Sequence, residues 1–210
     1  MKIRHGFVSN SSSSSFLVAM PKDDYCPHAN QVLEILFGKN REFSHPYQDD
    51  VSYPTEVIAA VVAKDLSERK LFPKHYRSVN HKDLMKRLED HLLYQRMGIY
   101  NDRETFSSEF SWLFDELSKI PNRPECGSYK HGLSEDEREK EWEKLRVLED
   151  KWEKKYRPAV RKLIKRMFQE MGKTLDFYML RYADEDGNFF SALEHGNIFR
   201  KVPHIQFSEH

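Results

Sequence analysis

Apolar positions along this chain change their spacing twice. Near the start they alternate or run together. Lys2 to Ser9 carries Ile3, Phe7 and Val8, and Ser14 to Met20 carries Phe16, Leu17 and Val18 before Pro21. Both read as strands. The polar tract between them, Ser9, Asn10 and Ser11 to Ser15, is then a hairpin connection or the start of the second strand. From residue 29 the spacing becomes three and four. Ala29–Phe37 (Val32, Leu33, Leu36), Thr55–Glu68 (Val57, Ile58, Val61, Val62, Leu66), His81–Met97 (Leu84, Met85, Leu88, Leu92, Leu93) and Asp102–Ile120 (Phe106, Phe110, Leu113, Phe114, Leu117) read as amphipathic helices. Pro121, Pro124, Gly127 and Gly132 make 121–133 a loop.

The longest periodic stretch runs from Trp142 through Leu145, Leu148, Trp152, Val160, Ile164 and Met167 to Met171. Ser134 and Glu137 ahead of it form a capping box, in which each side chain can satisfy a free backbone N–H at the helix start. Pro158 lacks an N–H and crowds the preceding turn, so a kink or break is expected there. After Gly172 the period shortens again. Thr174–Tyr182 reads as a strand, Asp184–Gly187 as a turn, Asn188–Leu193 as the return strand and Val202–Phe207 as one more strand.

Isolated hairpins are marginal in water. The economical solution is an α+β fold, a small, mostly antiparallel sheet from both chain ends packed against a helical middle with one long kinked helix. The expected layout is one domain over residues 1–210, with 29–171 mainly helical and 1–20 plus 174–207 forming the sheet. Helices 81–97, 102–120 and 134–171 should cover one face, and Phe7, Phe16, Val18, Phe177, Met179 and Phe189 should be buried together. This topology brings the serine tract toward His195 or His204.

Composition narrows the function classes. The chain has 34 basic and 34 acidic residues, so there is no global attraction to nucleic acid or to an anionic membrane. No apolar run reaches the roughly 20 residues that a membrane-spanning helix needs. Cys26 and Cys126 are far apart and match no metal-binding spacing, which suits idle thiols in a reducing compartment. A cytoplasmic protein is expected.

Two segments could carry chemistry. A Ser/Asn loop offers hydroxyls and backbone N–H groups at little steric cost, so Ser11, Ser12, Ser13, Ser14 and Ser15 are candidates to cradle an anion or accept a phosphate. A linker is the plain alternative. In the tail, Glu194, His195 and His204 are candidate ligand contacts. His195, His204 and His210 are candidate ligands for a divalent metal such as Zn or Mn, or acid–base groups. The alternative there is a turn, a strand edge and a frayed terminus. Arg157, Arg161, Lys162, Lys165 and Arg166 load the second half of the long helix with positive charge, opposite an acidic start at Glu135–Glu143. The sequences GxSxG, HExxH, GxGxxG and GxxxxGK[ST] are all absent.

The segment GFVSNSSSSSF resembles an N-terminal signature shared by a group of mostly phage-encoded proteins, and the tail elements EHG, PH and SEH resemble the ending of one such group. The resemblance covers the two ends and leaves the helical middle unmatched. It implies a phage origin and an accessory role, in the host cytosol, and it transfers no catalytic residue. The expected function is therefore binding of a host or phage macromolecule, a protein or other partner in the infected cell. The alternative is a metal- or phosphate-dependent enzyme that uses the serine loop and the histidine tail.

Overall fold

A computed structural model describes residues 13–22, 27–71, 79–94, 105–124, 134–183 and 186–208. The first strand candidate, Lys2–Ser9, both cysteines, Phe7, Ser11, Ser12 and His210 lie outside the described residues.

The serine tract opens a strand. β1 (Ser13–Pro21) runs antiparallel to β5 (Leu175–Ala183) over nine residues, from Ser13↔Ala183 to Pro21↔Leu175. On its other side β1 pairs antiparallel with β6 (His204–Ser208), from Ser14↔Ser208 to Val18↔His204. A two-residue β4 (Lys70–Leu71) borders β5 and completes the order β4-β5-β1-β6. Strands from both chain ends thus form an antiparallel sheet with β1 inside it. The outer edge of β6 is covered too: Phe106 bridges Ile205, and Ser107 exchanges hydrogen bonds with the His204 main chain.

Alternation along the strands divides the core in two. Leu17, Ala19, Phe177, Met179, Ile205 and Phe207 pack on one face against α3 (Val79–Tyr94), α4 (Ser111–Leu117) and α5 (Glu135–Glu170). Phe16, Val18, Met20, Tyr178, Leu180 and Tyr182 pack on the other against α1 (Ala29–Leu36), α2 (Thr55–Glu68) and α6 (Asn188–His195). This is the period-two geometry of a strand buried on both sides. Helices therefore cover both faces. The apolar set expected to cluster together is split, with Phe16, Val18 and Phe189 on one side and Phe177 and Met179 on the other.

Three further sequence expectations need correction. Asn188–Leu193 is helix α6, not a return strand. β1 occupies one edge of β5 up to Ala183, and the two-residue β4 borders the other edge only at Phe177 and Tyr178. Instead Leu193 is buried, with Phe189 and Phe190 packed against its cluster, and Gly187 enters the helix at φ 108°. Within 102–120, the described part is not one helix: Phe106 bridges β6, a 3-10 turn spans Ser108–Phe110, and only Ser111–Leu117 is α-helical. Of the kink or break expected at Pro158, the break does not occur: α5 runs through it for 36 residues. Pro158 is exposed, so the carbonyl it deprives of a bond faces water. A small two-stranded sheet, β2 (Glu42–Ser44) with β3 (Ser52–Pro54), was not anticipated.

Candidate functional site

The described serines are strand residues, not a solvated loop. Ser14 and Ser15 are each paired across β1 with β5 on one side and β6 on the other, so their main chain is committed to the sheet. Ser14 is only 3% exposed and points to the α6 face. There its hydroxyl donates to Glu194 Oε1 at 3.2 Å and accepts from Gln206 Nε2 at 3.3 Å. Gln206 also reaches the Glu194 main-chain oxygen at 3.4 Å. The cluster ties β1, β6 and α6 together. Glu194 is 1% exposed, and its Oε2 has no hydrogen-bond partner among the described residues. His195 Nε2 lies 3.7 Å from it. A buried carboxylate is costly unless bonded, so this cluster fixes the position of α6 on the sheet.

His195 continues outward from that cluster. Its ring packs edge-on against Tyr47, centroids 5.1 Å apart, and Tyr47 packs against buried His45 at 6.4 Å. His45 Nδ1 accepts the Tyr47 N–H at 3.1 Å. His204 has different company: its Nδ1 lies 2.9 Å from the Val202 carbonyl, and its main chain is bonded to Ser107. It pairs with Val18, four register positions from the Ser14 pair. The structure thus places Ser14, Glu194 and His195 together and His204 further along the sheet. Among the described residues no group of three or more His, Cys, Asp or Glu side chains is arranged to hold a metal ion.

Among the described residues, three of the five exposed large hydrophobic side chains, Trp142, Val147 and Leu148, lie on α5. The Ser134–Glu137 capping box forms as the sequence indicates, with Ser134 N–H on Glu137 Oε2 at 2.9 Å and Glu137 N–H on Ser134 Oγ at 3.4 Å. These bonds hold the Glu137 carboxyl below its ordinary pKa. From there to residue 148 only Leu145 is buried. Trp142 and Leu148 flank it at three-residue steps and are 49% and 52% exposed. A side chain three positions along lies on the same side of a helix, so the core-facing stripe continues past the core. Between 135 and 150 this stripe is bordered by eight acidic and four basic side chains.

The second half of α5 is anchored instead. Arg157 meets Glu89, Asp90 and Glu153, and Arg161 meets Glu89 at 2.8 Å. Arg166 pairs with Glu170 at 2.7 Å and lies over the Trp112 ring. Much of the basic cluster noted in the sequence is therefore spent on internal pairing. Tyr94 donates to Glu153 at 2.6 Å.

In the sequence Trp142 and Leu148 belong to the same periodic stretch as the buried positions of α5. Only their exposure distinguishes them. Gln206 was missed because a lone glutamine in a strand carries no motif. Among the described residues no helix is long and apolar enough to cross a membrane. No family model, no curated protein and no solved structure matches the chain.

Proposed function

We propose that this is an accessory protein, of the phage-encoded kind its two terminal segments resemble, that works by holding a partner protein on the first half of α5. The observation that carries this reading is the half-exposed pair Trp142 and Leu148 on a helix surface that is otherwise acidic. Tryptophan is enriched among residues that dominate binding energy, and apolar anchors ringed by charge are the usual anatomy of an interface. The border charge selects the occupant: a protein surface with an apolar pocket rimmed by Lys and Arg.

The experiment places a photo-crosslinking amino acid at position 148, and separately at exposed Gln169, in the native host. A protein joined from 148 and not from 169, whose purified form binds the wild-type chain and not Trp142→Ala, supports the reading. Crosslinking only to a second copy or to nucleic acid, or binding unchanged by Trp142→Ala, overturns it.

A further inference from the structure

We propose that a cleft beside α6, between the end of α1, β2 and the turn that follows α6, binds the phosphate group of a small phosphomonoester. The cleft encloses about 110 Å³. Phe37, Phe43 and Ile198 form its apolar lining, and Asn40, Arg200 and Lys201 its polar lining. No acidic side chain lines it. Among the described residues neither Arg200 nor Lys201 has a carboxylate partner within 4.0 Å, in a chain whose other internal arginines are largely paired.

The two cations are presented by a fixed backbone. Ile198 and Phe199 are buried, so the turn is pinned from below. Asn197 adopts φ 50°, the Arg200 N–H bonds the Asn197 carbonyl at 3.3 Å, and the Val202 N–H bonds the Phe199 carbonyl at 3.0 Å. Gly196 lets this turn approach β2: a Cβ there would collide with the Phe43 ring. Across the cleft, Lys201 Nζ approaches Gly38 at the end of α1. At the end of α1 the Leu33 and Glu34 carbonyls already accept from the Phe37 and Gly38 N–H groups, so the ammonium is not needed to cap them.

These features select the ligand class. An arginine fork beside a lysine point charge suits a phosphate dianion, with the amide of Asn40 as a neutral donor. The edge-on Phe37–Phe43 pair, centroids 6.0 Å apart, offers a surface for a small apolar or aromatic substituent. The volume is well under the roughly 300 Å³ at which drug-sized pockets begin, so the head group enters and a larger remainder lies in solvent. This site is separate from the α5 surface, and neither proposal depends on the other.

The test is calorimetric titration of the full chain with phenyl phosphate, and with phenol as the uncharged analogue. Arg200 and Lys201 are exposed, so Arg200→Gln with Lys201→Gln leaves the core intact. Saturable binding of phenyl phosphate, weakened about tenfold or more in the double variant, is expected, with no saturation by phenol. No saturable binding of phenyl phosphate, equal affinity in the double variant, or phenol binding as tightly would each overturn the proposal.

Discussion

Between Glu135 and Leu148, α5 buries a single side chain, Leu145; between Trp152 and Met167 it buries Trp152, Val160, Ile164 and Met167. The charge reverses along the same axis. Residues 135–150 hold eight acids and four bases, and residues 151–170 hold two acids and eight bases. Both halves are helical, for different reasons. The second is held by packing on the sheet and by ion pairs to α3. The first relies mainly on a capping box, acids in its first turn and good helix formers, with the surface pair Glu143–Arg146 at 3.7 Å and one tertiary ion pair near its end, Arg123–Glu149 at 2.8 Å. A helix of 36 residues spans about 54 Å, more than the sheet needs. An element held mainly by local chemistry keeps most of its apolar side chains available to another molecule.

The largest effect that separates the halves is a cavity. Ile164→Ala, inside the core beneath the sheet, is expected to cost about 2–5 kcal/mol in urea denaturation. Leu148→Ala and Trp142→Ala are expected within about 0.5 kcal/mol of wild type, as exposed positions usually are. A comparable loss at Leu148 would mean that the first half is packed in solution and the comparison fails.

Titration gives the next effect. The Tyr94 hydrogen bond is the main influence holding the Glu153 carboxyl below its ordinary 4.5, with Arg157 assisting. A lowered folded pKa contributes stability that is present above 4.5 and is lost as pH falls below it. Burial first, and then Glu153, push the Tyr94 hydroxyl from 10.0 up to about 12. A raised folded pKa contributes stability that is complete below 10.0 and is lost as pH rises toward 12. Tyr94→Phe should therefore flatten melting temperature against pH at both ends and cost about 1 kcal/mol near neutrality. Removing the exposed Glu143–Arg146 pair should leave that profile unchanged.

The degree to which sequence revealed this molecule follows from where its signals are local. β1, β5, β6, α1, α2 and the α5 capping box are all legible, because alternation, helical spacing and caps act within a few residues. α6 is not: Phe189, Phe190 and Leu193 fit either period, and they pack against the cluster formed with α1 and α2, a non-local fact. β4 is two residues long and exists only because β5 offers it an edge. At the serine tract the sequence left a hairpin connection and the start of a strand both open, and Ser13–Ser15 are buried in an inner strand. Ser14 is legible as a candidate, and so are Glu194 and His195. Their joining by Gln206 is tertiary. Arg200 and Lys201 lie in the tail but match no motif, and only the fold sets them over Phe37 and Phe43.

A smaller effect isolates the local chemistry of the first half. Ser134→Ala removes one partner of the reciprocal cap and should cost about 0.5–1 kcal/mol. In hydrogen exchange the loss of protection should be confined to residues 135–148, with 152–167 unchanged. Loss spread evenly along α5 would show that the two halves are a single cooperative unit.

The most direct measurement is the affinity of the crosslinked partner, purified, for wild type and for Trp142→Ala with Leu148→Ala, alongside the melting temperature of both. At least about a tenfold loss of affinity, with the melting temperature unchanged, is the expected result for exposed anchors at a binding surface. Equal affinity in the double variant would contradict the assignment of α5's first half as the docking face.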